Sequence, residues 1–496
     1  MKARAFFRGT VSAVLIILIS LGVLYGTLGN VSHKSYAAAL ILAFLFSILV
    51  FTIIKKDSKL LHCLDRFSPV AVCVLLSLLC LIINGMWVLV FQPEQAPDYQ
   101  TFFKAASDLA SRTPLSGKDY LAMFPHILGY ASFLSIFLRA FGISTQVAAI
   151  INVVLTTGTG ILLYLLSLRW IGGRTAAAFV LLLWIICPSK LLYNTMTLSE
   201  PYYTFLLMLF VLLASAVFDQ NSAKVKEQNR VKEHKPEAPA SLTVLIGALC
   251  GVILALVNTA RPVGVIPIIA FLIWSIFLTD RKQQKTNNKS MGIYVLVLLV
   301  VYFATGRVWN TYAANLLDQE PPSVPGYSIY VGFNLDTQGA YADEDMELLQ
   351  SRYFGEYDRN ARLTQQSMLQ SAKERIEAAK KSVPNLMLHK LGILLGHDEG
   401  GAFYSGESLS GGEYKIWCVL SNIWYYFICI FAVVGSYDLL KYKRKDCIWL
   451  APLCIIGIIL AQLLVEVAAR YHYCIIPLLL LLSASVLHRQ VEIKTK

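Results

Sequence analysis

Stretches of about twenty apolar residues, the length needed to cross a bilayer, recur along the chain with short basic loops between them. They lie at 10–29, 36–54, 69–92, 145–168, 173–190, 201–218, 242–258, 263–279, 292–306, 415–436, 448–466 and 472–488. Composition agrees: 56% of the 496 residues are hydrophobic and 15% are charged, against about 25% charged in soluble domains. The predicted fold class is therefore an all-α polytopic membrane protein with about 12 transmembrane helices. The net charge of +12 is no sign of a nucleic-acid partner, because the excess Lys and Arg sit in the loops that set membrane orientation. The ten cysteines lie mostly in or beside apolar stretches and read as small packing residues. MKARAFFR opens a run almost long enough to span, with no small-residue cleavage site after it, and reads as a retained first helix.

Residues 121–141 are a thirteenth apolar candidate. If they span, SLRWIGGR (167–174), KVKEQNRVKEHK (224–235) and all later basic loops fall outside. If they lie in the outer interface, MKARAFFR, 55–66, 167–174, 224–235, 280–289, 441–445 and the tail share the cytoplasmic side with both termini. The second arrangement violates nothing, and internal Pro125, His126 and Arg139 suit a juxtamembrane amphipathic helix.

Four external segments follow, 93–144, 190–200, 258–262 and 307–412, with a fifth short one from Glu466 to His472. The implied organisation is two N-terminal helices (1–68), a transmembrane core (69–306), a large external loop region (307–412) and C-terminal helices (413–496). The Lys/Glu/Pro-rich stretch 219–241 reads as a disordered cytoplasmic linker. Ionisable groups near membrane depth are costly, and here they gather on the external side: Asp98, Glu200, Arg261, Lys390, Glu466 and Arg470.

Each has a plainer reading. Asp98 behind Pro97 suits a helix N-cap, and Glu200 before Pro201 suits a helix start favoured by the dipole. Arg261 and Arg470 suit headgroup anchors. Asp343, Glu344 and Asp345 read as a solvated first helical turn. His397-Asp398-Glu399 lacks the helical His spacing of a metal site, and the glycosylation-type triplet at Asn30 sits in a very short loop.

Several of these segments, in order, carry a resemblance: Pro97-Asp98-Tyr99, FPHILGYASFLSIFLRAFG, LSEPYY, TARPVGVIP, GFNLDTQGAYADED, the stretch 384–395 with Lys390, and EVAARYHYCIIP. Together they resemble the GT-C superfamily of integral-membrane glycosyltransferases, in the clan of protein O-mannosyltransferases and bacterial aminoarabinose transferases, and in particular its bacterial family-39-like members. The resemblance covers most of 69–480. It differs in two places: Tyr99 follows Asp98 where the family typically has an Asp-Glu pair, and Phe124-Pro125-His126 replaces a Lys-Pro-Pro-type segment.

The resemblance implies a GT-C fold and a polyprenyl-phosphate sugar donor taken from the membrane lipid. It also implies inverting transfer to an acceptor hydroxyl on the extracytoplasmic side of the plasma membrane, with Asp98 as general base. Glu200 would be a second acid or orient the acceptor, Arg261, Lys390 and Arg470 would hold the donor phosphate, and Tyr99, His126, Glu466 and Tyr471 would line the cavity. A phosphate-linked sugar has a good leaving group, so a base and phosphate-binding cations suffice. No metal ligands are assigned, a divalent cation cofactor stays open, and the acceptor is an envelope polymer, a lipid or a protein. Two other readings compete: a transporter or flippase of lipid-linked saccharides, and a polymer ligase or polymerase. The first prefers charges at the bilayer midplane and paired broken helices, neither of which the sequence displays.

Overall fold

The computed structural model describes residues 2–29, 34–56, 64, 66–228, 240–278, 281–441 and 446–488. Asn30, residues 229–239 of the stretch 219–241 and parts of the basic loops 55–66, 224–235, 280–289, 441–445 and the tail lie outside the described residues. Those described form helices and connecting turns, and no strand is found among them.

Three apolar helices open the chain: α1 (Lys2–Gly29), α2 (Lys34–Lys56) and α3 (Pro69–Val90). The first polar segment folds as α4 (Pro97–Ser111), α5 (Lys118–Met123) and α6 (His126–Phe141). Next come α7 (Thr145–Trp170), α8 (Arg174–Ile185), α9 (Pro188–Tyr193), α10 (Glu200–Gln228), α11 (Ala240–Ala260), α12 (Val265–Ile273) and α13 (Arg281–Leu317). The second polar segment contributes α14 (Gly326–Gly332), α15 (Asp343–Ser351), α16 (Ala361–Ala379), α17 (Val383–Leu395) and α18 (Gly400–Tyr404). The chain closes with α19 (Gly411–Lys441), α20 (Leu450–Leu463) and α21 (Ile476–Ala484).

Eight helices of the described residues are long and apolar enough to cross a membrane. The expected spans 173–190, 201–218, 263–279 and 448–466 correspond to shorter apolar helical stretches. For the first the reason is local: Pro188 has no N–H to continue α8 and starts α9 instead. A π-turn at Trp274–Leu278 extends α12. The polar segment expected from 307 begins after Leu317, because α13 runs unbroken to that residue.

The bundle has two chemically different ends. At one, Arg8 donates to the Leu278 carbonyl (2.9 Å) and stacks on Trp449, while Arg169 donates to the Ala216 carbonyl. At the other, all five polar segments meet. Gln95 clips the first to the second, its amide donating to Thr195 O and accepting from Thr197 N. Glu466 N–H reaches the Ser328 carbonyl, and Gln365 reaches the Met123 carbonyl.

Both ends of α6 lie at this polar end. Gly129 in its first turn abuts the Thr259 carbonyl near the tip of α11, so closely that a Cβ would sit 2.2 Å from the oxygen. Three residues after its last turn begins α7, whose Gln146 bonds to Val88 near the tip of α3. Arg139 meanwhile donates to the open carbonyls of Leu109 and Ala110 that end α4. α6 therefore runs along the bundle end rather than through it. The N-terminal helices are no separate unit: α1 packs on α17 and α19, and α2 on α19.

Candidate active site

Pro97 fixes φ at the first turn of α4, where the missing N–H costs nothing. Ala96 is the N-cap and makes no side-chain bond, so the capping role expected for Asp98 is not the one it plays. Free of that duty, the Asp98 carboxylate accepts a 2.8 Å bond from Arg470 Nη2. Its side chain is 49% exposed and that of Arg470 10%, so the pair has an open acidic side and a closed basic side.

Arg470 stands in a cage of tyrosines, with the ring centroids of Tyr404, Tyr471 and Tyr99 at 5.0, 5.6 and 5.8 Å from its guanidinium carbon. Such rings favour a cation over their faces. Tyr471 is shared: Arg261 lies 5.2 Å from the same ring and donates a 2.8 Å bond to fully buried Glu200. Neither arginine is a headgroup anchor; both are held inside by carboxylates. Arg470 Nε and Nη1 and Arg261 Nε are buried and have no well-formed hydrogen bond, although the Tyr99 hydroxyl lies close to Arg470. Buried guanidinium donors left over beside these pairs are what an incoming oxyanion needs.

Three neighbours complete the electrostatics. His126, the first residue of α6, is pushed down to about 3 by burial and then by Arg261 and Arg470, which keeps its imidazole neutral. Glu466 is raised by burial, an effect opposed by Arg470 and Arg261, and its Oε1 lies 3.4 Å from the Tyr471 hydroxyl. Lys390 stands apart from the guanidiniums. Its ammonium donates to the carbonyls of Gly332, Leu463 and Val465 at 2.6–2.8 Å. Burial pushes it down to about 7 against the pull of Glu466. Lys390 thus pins the loop after α14 to the turn before Glu466, where the sequence pointed to a phosphate ligand.

The acidic run 343–345 differs from expectation at one position, and the run 397–399 is tied into the packing. Asp345 is buried, not solvated, and holds Arg375 through both oxygens (2.8 and 3.1 Å) while accepting from Asn334. Asp398 is buried between Ser189 Oγ (2.5 Å) and His472 Nε2 (3.2 Å), with Glu399 bonded to Tyr36 and Asn422. Among the described residues, no group of three His, Cys, Asp or Glu is arranged to hold a metal. Asp98 and Glu200 each already face a guanidinium, so the donor set does not fit a divalent cation.

The sequence reading missed Tyr404, Tyr120, Tyr327 and Tyr341. Tyr404 is delivered by α18, which sits so tightly that a Cβ on Gly400 would meet the Tyr193 hydroxyl at 2.1 Å. The glycine-rich run GGAFYSG was the available signal. A roomier cavity of about 310 Å³, lined by Phe46, Leu183, Ile186, Trp424 and Phe427 among others, lies on the apolar flank away from these ions.

No protein-family model matches the sequence, and no curated protein matches it either. Among solved structures the chain is similar to ArnT from Cupriavidus metallidurans, in a crystal structure bound to undecaprenyl phosphate (TM-score 0.34) and in the apo state (TM-score 0.32). In both the identity is 12%, over 84% of this chain and 76% of the other.

Proposed function

We propose that this protein transfers a sugar from a polyprenyl-phosphate donor to an acceptor hydroxyl at the polar end of the bundle, on the extracytoplasmic side of the membrane. The observation that carries this is the Asp98–Arg470 pair: an accessible carboxylate backed by a buried guanidinium with two donors to spare. Asp98 takes the proton of the acceptor hydroxyl as its oxygen attacks the anomeric carbon. The bond from that carbon to the phosphate oxygen breaks, and the electron pair leaves with the polyprenyl phosphate. One displacement with attack opposite the leaving group inverts the anomeric centre.

Arg470 offers Nε and Nη1 to the departing phosphate, and Arg261 adds a second buried guanidinium beside it. Glu200, wholly buried, holds Arg261 in place. His126, neutral between the two cations, adds no charge of its own. The positive-inside rule, applied to the basic stretches of the sequence, favours an extracytoplasmic site.

The test is transfer by membranes carrying Asp98→Asn at matched protein abundance. We expect a loss of about 10²-fold or more with polyprenyl-phosphate retention unchanged. Near-normal transfer would remove Asp98 from the chemistry.

A further inference from the structure

The open side of Asp98 faces a wall of aromatic rings that the transfer chemistry does not use. Tyr120 lies against Phe124 with ring centroids 4.8 Å apart and planes tilted by 48°, and Phe124 meets Tyr327 edge to face at 5.6 Å. Gln365 sets this up: its Oε1 accepts from Tyr327 N–H while its amide donates to the Met123 carbonyl, joining α14 to the end of α5. Gly326 makes the approach possible, since a Cβ there would lie 1.8 Å from the Gln365 carbonyl. Tyr341, 51% exposed, stands at the rim beside Asp343.

Charge around this wall is predominantly acidic. The strongest electrostatic neighbours of Tyr120 are Asp98 and Glu466, those of Tyr327 are Glu466 and Tyr341, and those of Tyr341 are Asp343, Asp98 and Glu466. Arg470 also acts on Tyr120, but it and Arg261 are each matched to a carboxylate. The Tyr327 side chain is 1% exposed, yet its hydroxyl has no partner. A buried hydroxyl left open among tyrosines and carboxylates awaits a polar group from a ligand.

We propose that Tyr120, Phe124, Tyr327 and Tyr341, with Asp98, Glu466 and Asp343, form the acceptor site, and that the acceptor hydroxyl belongs to an uncharged sugar ring. This rests on the glycosyl-transfer reading of Asp98. Aromatic faces suit the C–H face of a pyranose, and carboxylates and phenols suit its hydroxyls. A phosphate-bearing acceptor would be disfavoured by the Asp98 and Asp343 carboxylates beside this wall. The donor's own sugar is the other pyranose in the reaction. Its phosphate is drawn to the guanidinium donors that Asp98 leaves open, which leaves the tyrosine wall to the acceptor.

Saturation-transfer NMR on the full-length chain in nanodiscs tests this with two probes, methyl β-D-glucopyranoside and glucose 6-phosphate. We expect saturable transfer to the methyl glycoside only. Tyr341→Ala and Tyr327→Phe, one exposed and one keeping its ring, should each weaken that binding about fivefold. Asp98→Asn should keep the methyl glycoside and begin to admit the phosphate. Adding undecaprenyl-phosphate glucose should leave the signal in place. Displacement by that lipid, but not by undecaprenyl phosphate, would assign the wall to the donor sugar and overturn the proposal. Equal binding of the two probes, no binding of the methyl glycoside, or binding indifferent to both tyrosine variants would also overturn it. Because none of these readings needs turnover, failure here is distinct from failure of Asp98 as base, which only the transfer assay detects.

Discussion

Two acid clusters hang from the same seven-residue turn, Ala469–Ile475, and they face opposite ways. Arg470 reaches outward to Asp98, half exposed and bonded through one oxygen. His472 reaches inward to Asp398, 1% exposed, whose other oxygen takes Ser189. By residue type the inner set, with Ser, His and Asp, looks the more catalytic. Yet its aspartate sits between the serine and the histidine instead of behind the histidine, as a nucleophile relay requires, and it offers no route for a substrate. The inner cluster joins α9, the loop before α18, α19 and the turn. The outer one has an open side and spare donors. Access and unfilled hydrogen-bonding capacity, not residue identity, separate chemistry from scaffolding here.

The sharpest way to break this contrast is a crossed pair of variants. Asp98→Asn should lower transfer by about 10²–10⁴-fold and leave membrane abundance and thermal midpoint near normal. Asp398→Ala should do the reverse. It strands the Ser189 hydroxyl and the His472 ring, at about 1–3 kcal/mol for each buried group left unpaired. Thermal midpoint and abundance in detergent should fall, while transfer per folded molecule stays within a few-fold of normal by the same argument. If both variants lost activity at equal abundance, the inner cluster would belong to the chemistry as well.

Arg470 sharpens the outer half. Arg470→Lys keeps the charge but not the fork, so it can hold Asp98 or the departing phosphate but cannot serve both with parallel bonds. Transfer should drop by about tenfold, and by more in Arg470→Met, where one charge-assisted bond worth about 1.5–3 kcal/mol is gone altogether. Full activity in the lysine variant would mean that Arg470 acts only as a point charge.

How much of this was legible in the sequence follows from what kind of information each part needed. Apolar run lengths and the parity of basic loops depend on local composition, and they predicted the helices, the resting of α6 along one end and the meeting of the polar segments. That placed Asp98, Glu200, Arg261 and Arg470 on one side, and the structure brings them into two ion pairs. What failed was partner choice. Lys390 and Arg470 are both cations on that side, but only packing shows that Lys390 is surrounded by three carbonyls. His397-Asp398-Glu399 was weighed by its own spacing, whereas the partner of Asp398 lies 74 residues away. In the turn 343–345 the sequence shows the exposed Asp343 and Glu344 but not the burial of Asp345, because nothing local announces Arg375. The tyrosines were missed because an aromatic in an apolar chain is ordinarily core.

The smallest predicted effect compares the two histidines. His472 faces a carboxylate, whereas His126 faces two guanidiniums and is pushed down to about 3 by burial and those charges. The unfolded chain binds a proton at His126 near pH 6.5, and the folded chain does not until about pH 3. Between those values the unfolded state holds more protons, so stability must fall as the pH drops, by at most ~1.4 kcal/mol per pH unit for this one group. His126→Gln removes the term. The thermal midpoint of the solubilised protein, followed from pH 6.5 to 4.5, should therefore decline less in the variant than in the wild type. Above pH 7 the difference between the two should stop changing. An anion bound between Arg261 and Arg470 would screen His126 from both charges and raise its pKa. With inorganic phosphate present, the wild-type curve should move toward that of the variant. Parallel curves without phosphate would mean that His126 does not feel the two arginines, and the pair of them would lose its claim to be a concentrated positive site.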